Sequence, residues 1–395
     1  MRIVFLGLGL GVFCANVGFL ACYTFLPLYA RGIGASMAEV GLLLTVYYLV
    51  STVMMVVLGK LSDVGGLRRV LIISGLAGSA VVYWLLGASK FYLQLLLLCG
   101  VLGVTDSAYR PTSIAVIAEV APRPSVGRRI GVFNAFISAG MAAGCLVGGR
   151  VADVFGLPTV FITASLMLTV GTASSLVVMK LRSDSPSGAP ASTGVRKRMG
   201  LEGLGGRFIV ASGLLLLCVD VFLRNSGFRG VTTFLPIYLA KLGSENSLIG
   251  MIAAVNFASQ VVFMPVMGWL SDRFGRKRVL SVGMLVTLLA MFILSTVNNP
   301  LEVIPIQVAV AFSWASITVA SNAFVADVAP PERLGELMGL VFTSMNLGGV
   351  VGPVVAGIFS DRFDLRTTFQ ILALFPLLGL LFSLKLGRRS AKNWA

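Results

Sequence analysis

Five ionisable side chains stand in the middle of long apolar stretches: Asp106 and Arg110, then Asp220, Arg224 and Arg229. A charge in such a place costs about 2.5–3.5 kcal/mol on membrane-insertion scales, which makes each one a functional candidate by default. Asp106 and Arg110 are four residues apart, as are Asp220 and Arg224, so on a helix each pair shares a face. Two chemistries fit such a pair. It is either a neutralised couple that lowers the cost of burial, or a carboxylate that takes up and releases a proton as its surroundings change. The chain has no histidine, so a coupling group that titrates near neutral pH must be a carboxylate with a shifted pKa. Asp220 is the first candidate, because two arginines share its stretch, and Asp106 is the second. Arg229 has no acidic neighbour within a helical turn, and three arginines against two aspartates leave a positive excess that suits a carboxylate or phosphate group.

The elements that hold these residues are set by hydropathy. Of the 395 residues, 57% are hydrophobic and 12% charged, and mean hydropathy is +0.93; a soluble domain carries about 25% charged residues. Apolar stretches of about 20 residues, enough to cross a hydrocarbon core, recur along the chain. They predict twelve spans: 3–30, 38–59, 70–89, 92–119, 130–151, 159–181, 206–239, 247–269, 279–297, 302–327, 336–359 and 367–387. Backbone groups in lipid must be satisfied locally, so the spans are helices, and the alternation of a membrane barrel is absent. The first span is too long for a cleaved signal peptide and reads as a retained helix. Cys14, Cys22, Cys99, Cys145 and Cys218 all lie in spans, where small apolar packing is their expected role, and they show no metal-ligand spacing.

Charge sets the expected orientation. With both termini inside, 22 of the 31 Lys and Arg residues fall on inner segments, 6 on outer segments and 3 within spans. That is a positive-inside pattern, with both termini cytoplasmic. It accounts for the net charge of +15 by topology and attraction to an anionic inner leaflet, without a nucleic-acid partner.

Four copies of one short motif run through the chain. Gly268, Leu270, Asp272, Arg273, Gly275, Arg276 and Lys277 form the fullest copy. Gly59, Asp63, Gly66, Arg68 and Arg69 form another, 209 residues earlier; Gly149 with Asp153 and Gly357 with Asp361 form the third and fourth, 208 apart. Within each half the copies are about 90 residues apart, three spans, so consecutive copies lie on opposite faces of the membrane. This is an inverted three-helix repeat inside a duplicated six-helix half. The halves are 1–181 and 206–395, and the Ser-, Gly-, Pro- and Arg-rich segment 182–205 reads as an inner linker.

On these residues the chain resembles the major facilitator superfamily, whose loop signature is complete from Gly268 to Lys277 and degraded at Gly59, where Val64 and Leu67 replace basic residues. A glycine ladder in the fifth span (Gly131, Gly140, Gly144, Gly148 and Gly149) resembles that of the superfamily's drug/proton antiporters, with Cys145 where proline is usual. The eleventh span repeats it as Gly339, Gly348, Gly352 and Pro353. Such glycines let two helices approach closely. The arginine that many drug exporters carry four residues before a fourth-span glycine is absent, since Cys99 precedes Gly103.

The resemblance implies a central cavity lined by spans 1, 4, 7 and 10, whose candidates here are Asn16, Tyr23, Tyr109, Arg110, Arg224, Asn225, Arg229, Trp314, Thr318 and Asn322. Span 2 adds Tyr47 and Ser51, and span 8 adds Asn256 and Gln260 at matching positions. Many of the Met and Phe residues are expected to face lipid. The motif loops (Gly59, Asp63 and Arg68; Gly268, Asp272, Arg273, Gly275, Arg276 and Lys277) are expected to act as gates that favour one rocked state, as an asymmetric pair.

With no His, phosphate-binding loop or Ser triad, no enzyme chemistry is indicated. The expected function is secondary active transport in the inner or plasma membrane: proton-coupled export of drug-like or amphipathic molecules by a monomer that needs no cofactor beyond a proton gradient. The alternatives are proton-coupled transport of an organic anion through Arg110, Arg224 or Arg229, and a non-transporting receptor or lipid-handling role on the same scaffold.

Overall fold

Each long apolar run satisfies its backbone N–H and C=O groups by coiling on itself, and a computed structural model shows a helix for every predicted span. The helices are α1 (Arg2–Gly32), α2 (Met37–Ser62), α3 (Leu67–Gly87), α4 (Tyr92–Val120), α5 (Val126–Phe155), α6 (Leu157–Ser183), α7 (Leu214–Lys241), α8 (Asn246–Phe274), α9 (Arg276–Leu294), α10 (Val303–Val328), α11 (Leu334–Arg362) and α12 (Leu365–Lys385). The structure describes residues 2–62, 67–120, 126–183, 213–330 and 333–385, with no strand among them. Asp63, the linker from 184 onward and the start of the expected seventh span at 206–212 lie outside the described residues.

Eleven of the helices are long and apolar enough to cross a membrane. The exception is α7, whose middle carries Asp220, Arg224, Asn225 and Arg229. Large apolar side chains stand exposed around the bundle, among them Val81, Trp84, Leu97, Val177, Val262 and Leu381, as lipid contact requires.

Successive helices alternate in direction. The connections after α1, α5, α7 and α11 therefore share one end with those after α3 and α9, here the distal end; the chain termini point to the other, the terminal end. Within the first half α1 packs on α5 and α6, and α2 on α4; within the second α7 packs on α11 and α12, and α8 on α10. Between the halves, α2 packs on α11 and α5 on α8.

The glycine ladder makes the closest of these contacts possible. A Cβ on Gly140 would lie 2.5 Å from the Phe13 carbonyl oxygen, and one on Gly144 would meet the Val17 carbonyl, so α5 sits directly on the backbone of α1. Gly348 and Gly352 seat α11 on α7 at Asn225 and Ser226 in the same way. Gly149 faces the other way, with a Cβ there 2.5 Å from the Asn246 carbonyl of α8, and the Pro353 carbonyl closes on Gly41 of α2. Gly131 lies on α5, and a Cβ on Gly339 of α11 would meet nothing within 4 Å.

The two ends differ. At the distal end one buried cluster takes in both halves, from Phe25, Tyr29 and Tyr83 to Phe234, Tyr238 and Phe369. Asp364 starts α12 there by accepting the Thr367 N–H at 3.3 Å, which holds its carboxyl below the ordinary value. At the terminal end a separate cluster, including Leu217, Met267, Leu280 and Leu337, belongs to the second half. The turn from α8 to α9 passes through Gly275 at φ 91, a conformation that needs the missing Cβ.

Candidate functional site

Between the halves lies a cavity of about 420 Å³, within the range of small-molecule sites. Its walls come from α1, α2, α4 and α5 on one side and α7, α8, α10 and α11 on the other. Of the sequence-derived candidates, Tyr23, Tyr47, Ser51, Arg110, Arg229, Asn256, Gln260 and Trp314 line it. The expected contributions of α2 and α8 are there, and as large as those of α1 and α7; the walls that were not expected are Ile137, Ser138 and Met141 of α5 and Asn346 of α11.

Two kinds of lining residue were not anticipated. Phe19, Phe228 and Phe257 and Met55, Met141 and Met264 all reach the cavity, and none of them was singled out from the sequence. Phe19 and Phe228 are 209 residues apart, as are Met55 and Met264, so the internal repeat itself could have marked them. Tyr48 and Gln307 also line the wall. The signal for Gln307 is its place as the one polar residue between Val303 and Phe312.

The polar groups of the lining are tied to one another. Gln260 donates to Asn256 at 2.7 Å, and Asn256 donates to Gln307 at 3.1 Å. Ser51 shares a hydrogen with Ser107 at 2.9 Å, and Tyr48 donates to Tyr23 at 3.2 Å. Amides and hydroxyls so arranged satisfy one another within an otherwise apolar wall.

The two helix pairs of opposite charge behave differently. Arg110 meets Asp106 at 3.4 Å, and Asp106 also accepts from Tyr47 at 2.9 Å and Ser79 at 3.1 Å. The guanidinium then lies over the Phe19 ring at 3.9 Å and reaches the cavity. Asp220 and Arg224 make no such pair. The Asp220 carboxylate points to α12, with one oxygen 3.2 Å from where Gly379 would carry a Cβ, and both of its oxygens lack a hydrogen-bond partner. Arg224 is buried behind the wall, over Phe228 at 4.1 Å and Trp314 at 5.0 Å, and donates to Asn225 at 3.2 Å. Neither Asp220 nor Asp106 lines the cavity itself.

Five further candidates are off the cavity. Asn16 turns back to its own helix, donating to the Val12 carbonyl at 2.8 Å. Asn225 packs beneath Gly348, and Tyr109 is buried in α4. Thr318 and Asn322 are half-buried one and two turns beyond Trp314 on α10. Asn16, Tyr109 and Asn225 occupy packed faces of cavity-lining helices, whereas Thr318 and Asn322 share the face of Trp314 and lie farther along it, past the cavity.

The three motif copies whose acid is described end in different partners. Asp153 accepts the backbone N–H groups of Asn246 at 2.9 Å and Ser247 at 2.7 Å, the first residues of α8. Asp361 accepts those of Met37 and Ala38, the first residues of α2, each at 2.8 Å. Both carboxylates therefore cap a helix of the opposite half and latch the distal end, where N-terminal N–H groups and the helix dipole favour an anion. Asp272 stays within its own half: it pairs with Arg276, which also donates to Asp327 at 3.0 Å and Ser271 at 3.2 Å. Arg273 lies over Trp269 at 5.3 Å, and Arg68 donates to the Ser62 carbonyl at 3.1 Å. Lys277 lies in the first turn of α9, and a Cβ on Gly59 would meet nothing within 4 Å. Because Asp63 is outside the described residues, the expected asymmetry of the two gate loops is not visible; what is visible is that the crossing latches are the other two copies.

Comparison with known proteins agrees with this architecture. The Major Facilitator Superfamily model matches residues 8–244 and 215–395. A protein named multi-drug resistance efflux pump PmrA homolog from Lactococcus lactis subsp. lactis (strain IL1403) is 24% identical over 95% of this chain and 92% of its own. The multidrug resistance protein MdtG of Salmonella heidelberg (strain SL476) is 26% identical over 95% and 93%. Among solved structures, an inward-facing, occupied bacterial homolog of the human lysosomal transporter Spinster superposes with a TM-score of 0.81 at 16% identity, over 99% of this chain and 98% of that one. The nucleoside transporter NupG gives 0.80 at 13% identity, over 98% and 99%. Twelve helices, a fourfold motif, a cavity between two like halves and a family match along nearly the whole chain agree: the chain belongs to the Major Facilitator Superfamily and is a multi-pass membrane transporter, not an enzyme.

Proposed function

We propose that this transporter exports amphipathic, drug-like small molecules across the plasma membrane in exchange for protons, by rocking of the bundles 1–181 and 206–395 about the central cavity. The observation that carries the reading is the cavity wall itself: aromatic and Met side chains interleaved with a few mutually bonded amides and hydroxyls. Such a wall takes up a large apolar body, and its flexible Met side chains suit varied cargo. The efflux names of relatives at 24% and 26% identity support the direction of transport.

Rocking is supported by the two carboxylate latches at the distal end together with the open packing around Gly59 and Gly339 toward the terminal end. With the basic excess inside, the distal end is outer, the state is inward-open, and both termini are cytoplasmic. The protein acts as a monomer in a bilayer with an anionic inner leaflet and needs no cofactor. Asp106 and Asp220 are the proton-carrying candidates, because they are the acids buried within spans. The test is reconstitution into liposomes with an imposed pH gradient: a dye or amphipathic drug should move against its gradient while the pH difference lasts. Flux that ignores the gradient would remove proton coupling.

A further inference from the structure

The charge of the cavity is one-sided. Arg110 and Arg229 line it, and no Asp or Glu does so among the described residues. Arg110 is matched by Asp106, but Arg229 has no carboxylate partner among the described residues. It reaches across the gap between the halves, over Tyr48 at 5.3 Å, and lies 6.0 Å from both Phe228 and Trp314. Arg224 stacks on the same two rings from behind, is 1% exposed, and leaves Nε and Nη2 without a hydrogen-bond partner. Two guanidiniums thus share one aromatic pair with no counter-charge, since Asp220 is turned away toward Gly379. Arg224 is buried and Arg229 half-buried, and holding two such cations together is costly unless an anion completes the site.

We infer that the cavity is built for an organic anion: an amphipathic molecule with one carboxylate, sulfonate or similar group seated at Arg229, backed by Arg224, and an apolar body against Phe257, Met264 and Leu235. A guanidinium recognises such groups through paired N–H donors, whereas a lipophilic cation would enter against the uncompensated charge. One unmatched lining arginine argues for a single negative charge. This inference rests on the reading of the cavity as the cargo site.

The test uses three probes that share a naphthalene body and differ in their head: a carboxylate, the neutral carboxamide and a quaternary ammonium. Kd for each is measured by titration calorimetry on the purified full-length chain in detergent. The carboxylate should bind about tenfold or more tighter than the carboxamide, and the ammonium weakest. Arg229→Gln should abolish the carboxylate's advantage, and Arg229→Lys, which keeps the charge but not the fork, should retain part of it and guards against misfolding. If the ammonium binds as tightly as the carboxylate, or the advantage survives Arg229→Gln in a folded variant, the anion assignment falls while the cavity remains a cargo site. If none of the three binds, both readings fall.

Discussion

Asp106 and Asp220 have the same spacing to an arginine and opposite fates. Asp106 holds Arg110 and two hydroxyl donors, so replacing it with Asn should leave a half-buried guanidinium uncompensated and destabilise the fold, by less than the cost of about 3–5 kcal/mol for a fully buried pair. Thermal unfolding of Asp106→Asn, Arg110→Met and the double variant checks this: the double change should recover most of the loss. Asp220 has no partner to lose, so Asp220→Asn should leave the unfolding temperature unchanged or raised. If Asp220 carries the proton, the same variant should still bind cargo but lose flux driven by a pH gradient; unchanged coupled flux would leave Asp106 as the remaining candidate. The sequence made both pairs visible, because helical spacing places them on shared faces. It did not show which pair forms, since that depends on rotamers and on neighbours far along the chain: Tyr47 and Ser79 draw Asp106 inward to Arg110, while Phe228 and Trp314 draw Arg224 away from Asp220.

At the scale of elements, the latches and the ladder make separate claims. Each latch joins a carboxylate to two backbone N–H groups of a helix start, and hydrogen bonds to a charged group contribute about 1.5–3 kcal/mol each. Combining Asp153→Asn with Asp361→Asn should therefore shift the population toward a distal-open state by at least about tenfold. Spin labels at Lys90→Cys and Glu302→Cys, both exposed near the distal end, would report it as a longer distance; an unchanged distribution would mean that the latches do not hold the state. On the ladder, Gly144→Val and Gly352→Val force side chains into the carbonyls of Val17 and Ser226 and should abolish folded yield, while Gly339→Ala, with open space around it, should be tolerated. The four motif copies were legible from spacing alone. That two of them cross between halves was not, because apart from the Asn246 side-chain amide on Asp153 their partners are main-chain N–H groups, which leave no mark in a sequence.

For the whole molecule, the proposed orientation and state can be read together. Ser138 and Asn346 line the cavity, and the five native cysteines are buried, so introduced thiols stand on a quiet background. Ser138→Cys should react with a membrane-impermeant maleimide in inside-out vesicles several-fold faster than in right-side-out ones, and the Asp153→Asn, Asp361→Asn background should narrow that difference. Equal rates from both sides would contradict an inward-open state. The number of helices, their order and the duplicated halves followed from hydropathy and repeat spacing, since lipid permits few other solutions. The cavity wall followed less well. Which face of each helix turns inward, and how far along it the cavity runs, is decided by packing between halves, so Asn16 and Asn225 fell on the wrong face and Thr318 and Asn322 beyond the wall's end.

The distal latches have a consequence for how this protein can vary. Asp153 and Asp361 grip atoms that every residue except proline carries, so the residues at Met37, Ala38 and Ser247 are interchangeable as far as the grip is concerned. A saturation library scored for transport should show this lopsidedness. The two acids should be intolerant, while the gripped positions should accept many side chains and reject proline, which lacks the N–H. Relatives could then diverge widely along the seam between their halves and keep the same closure.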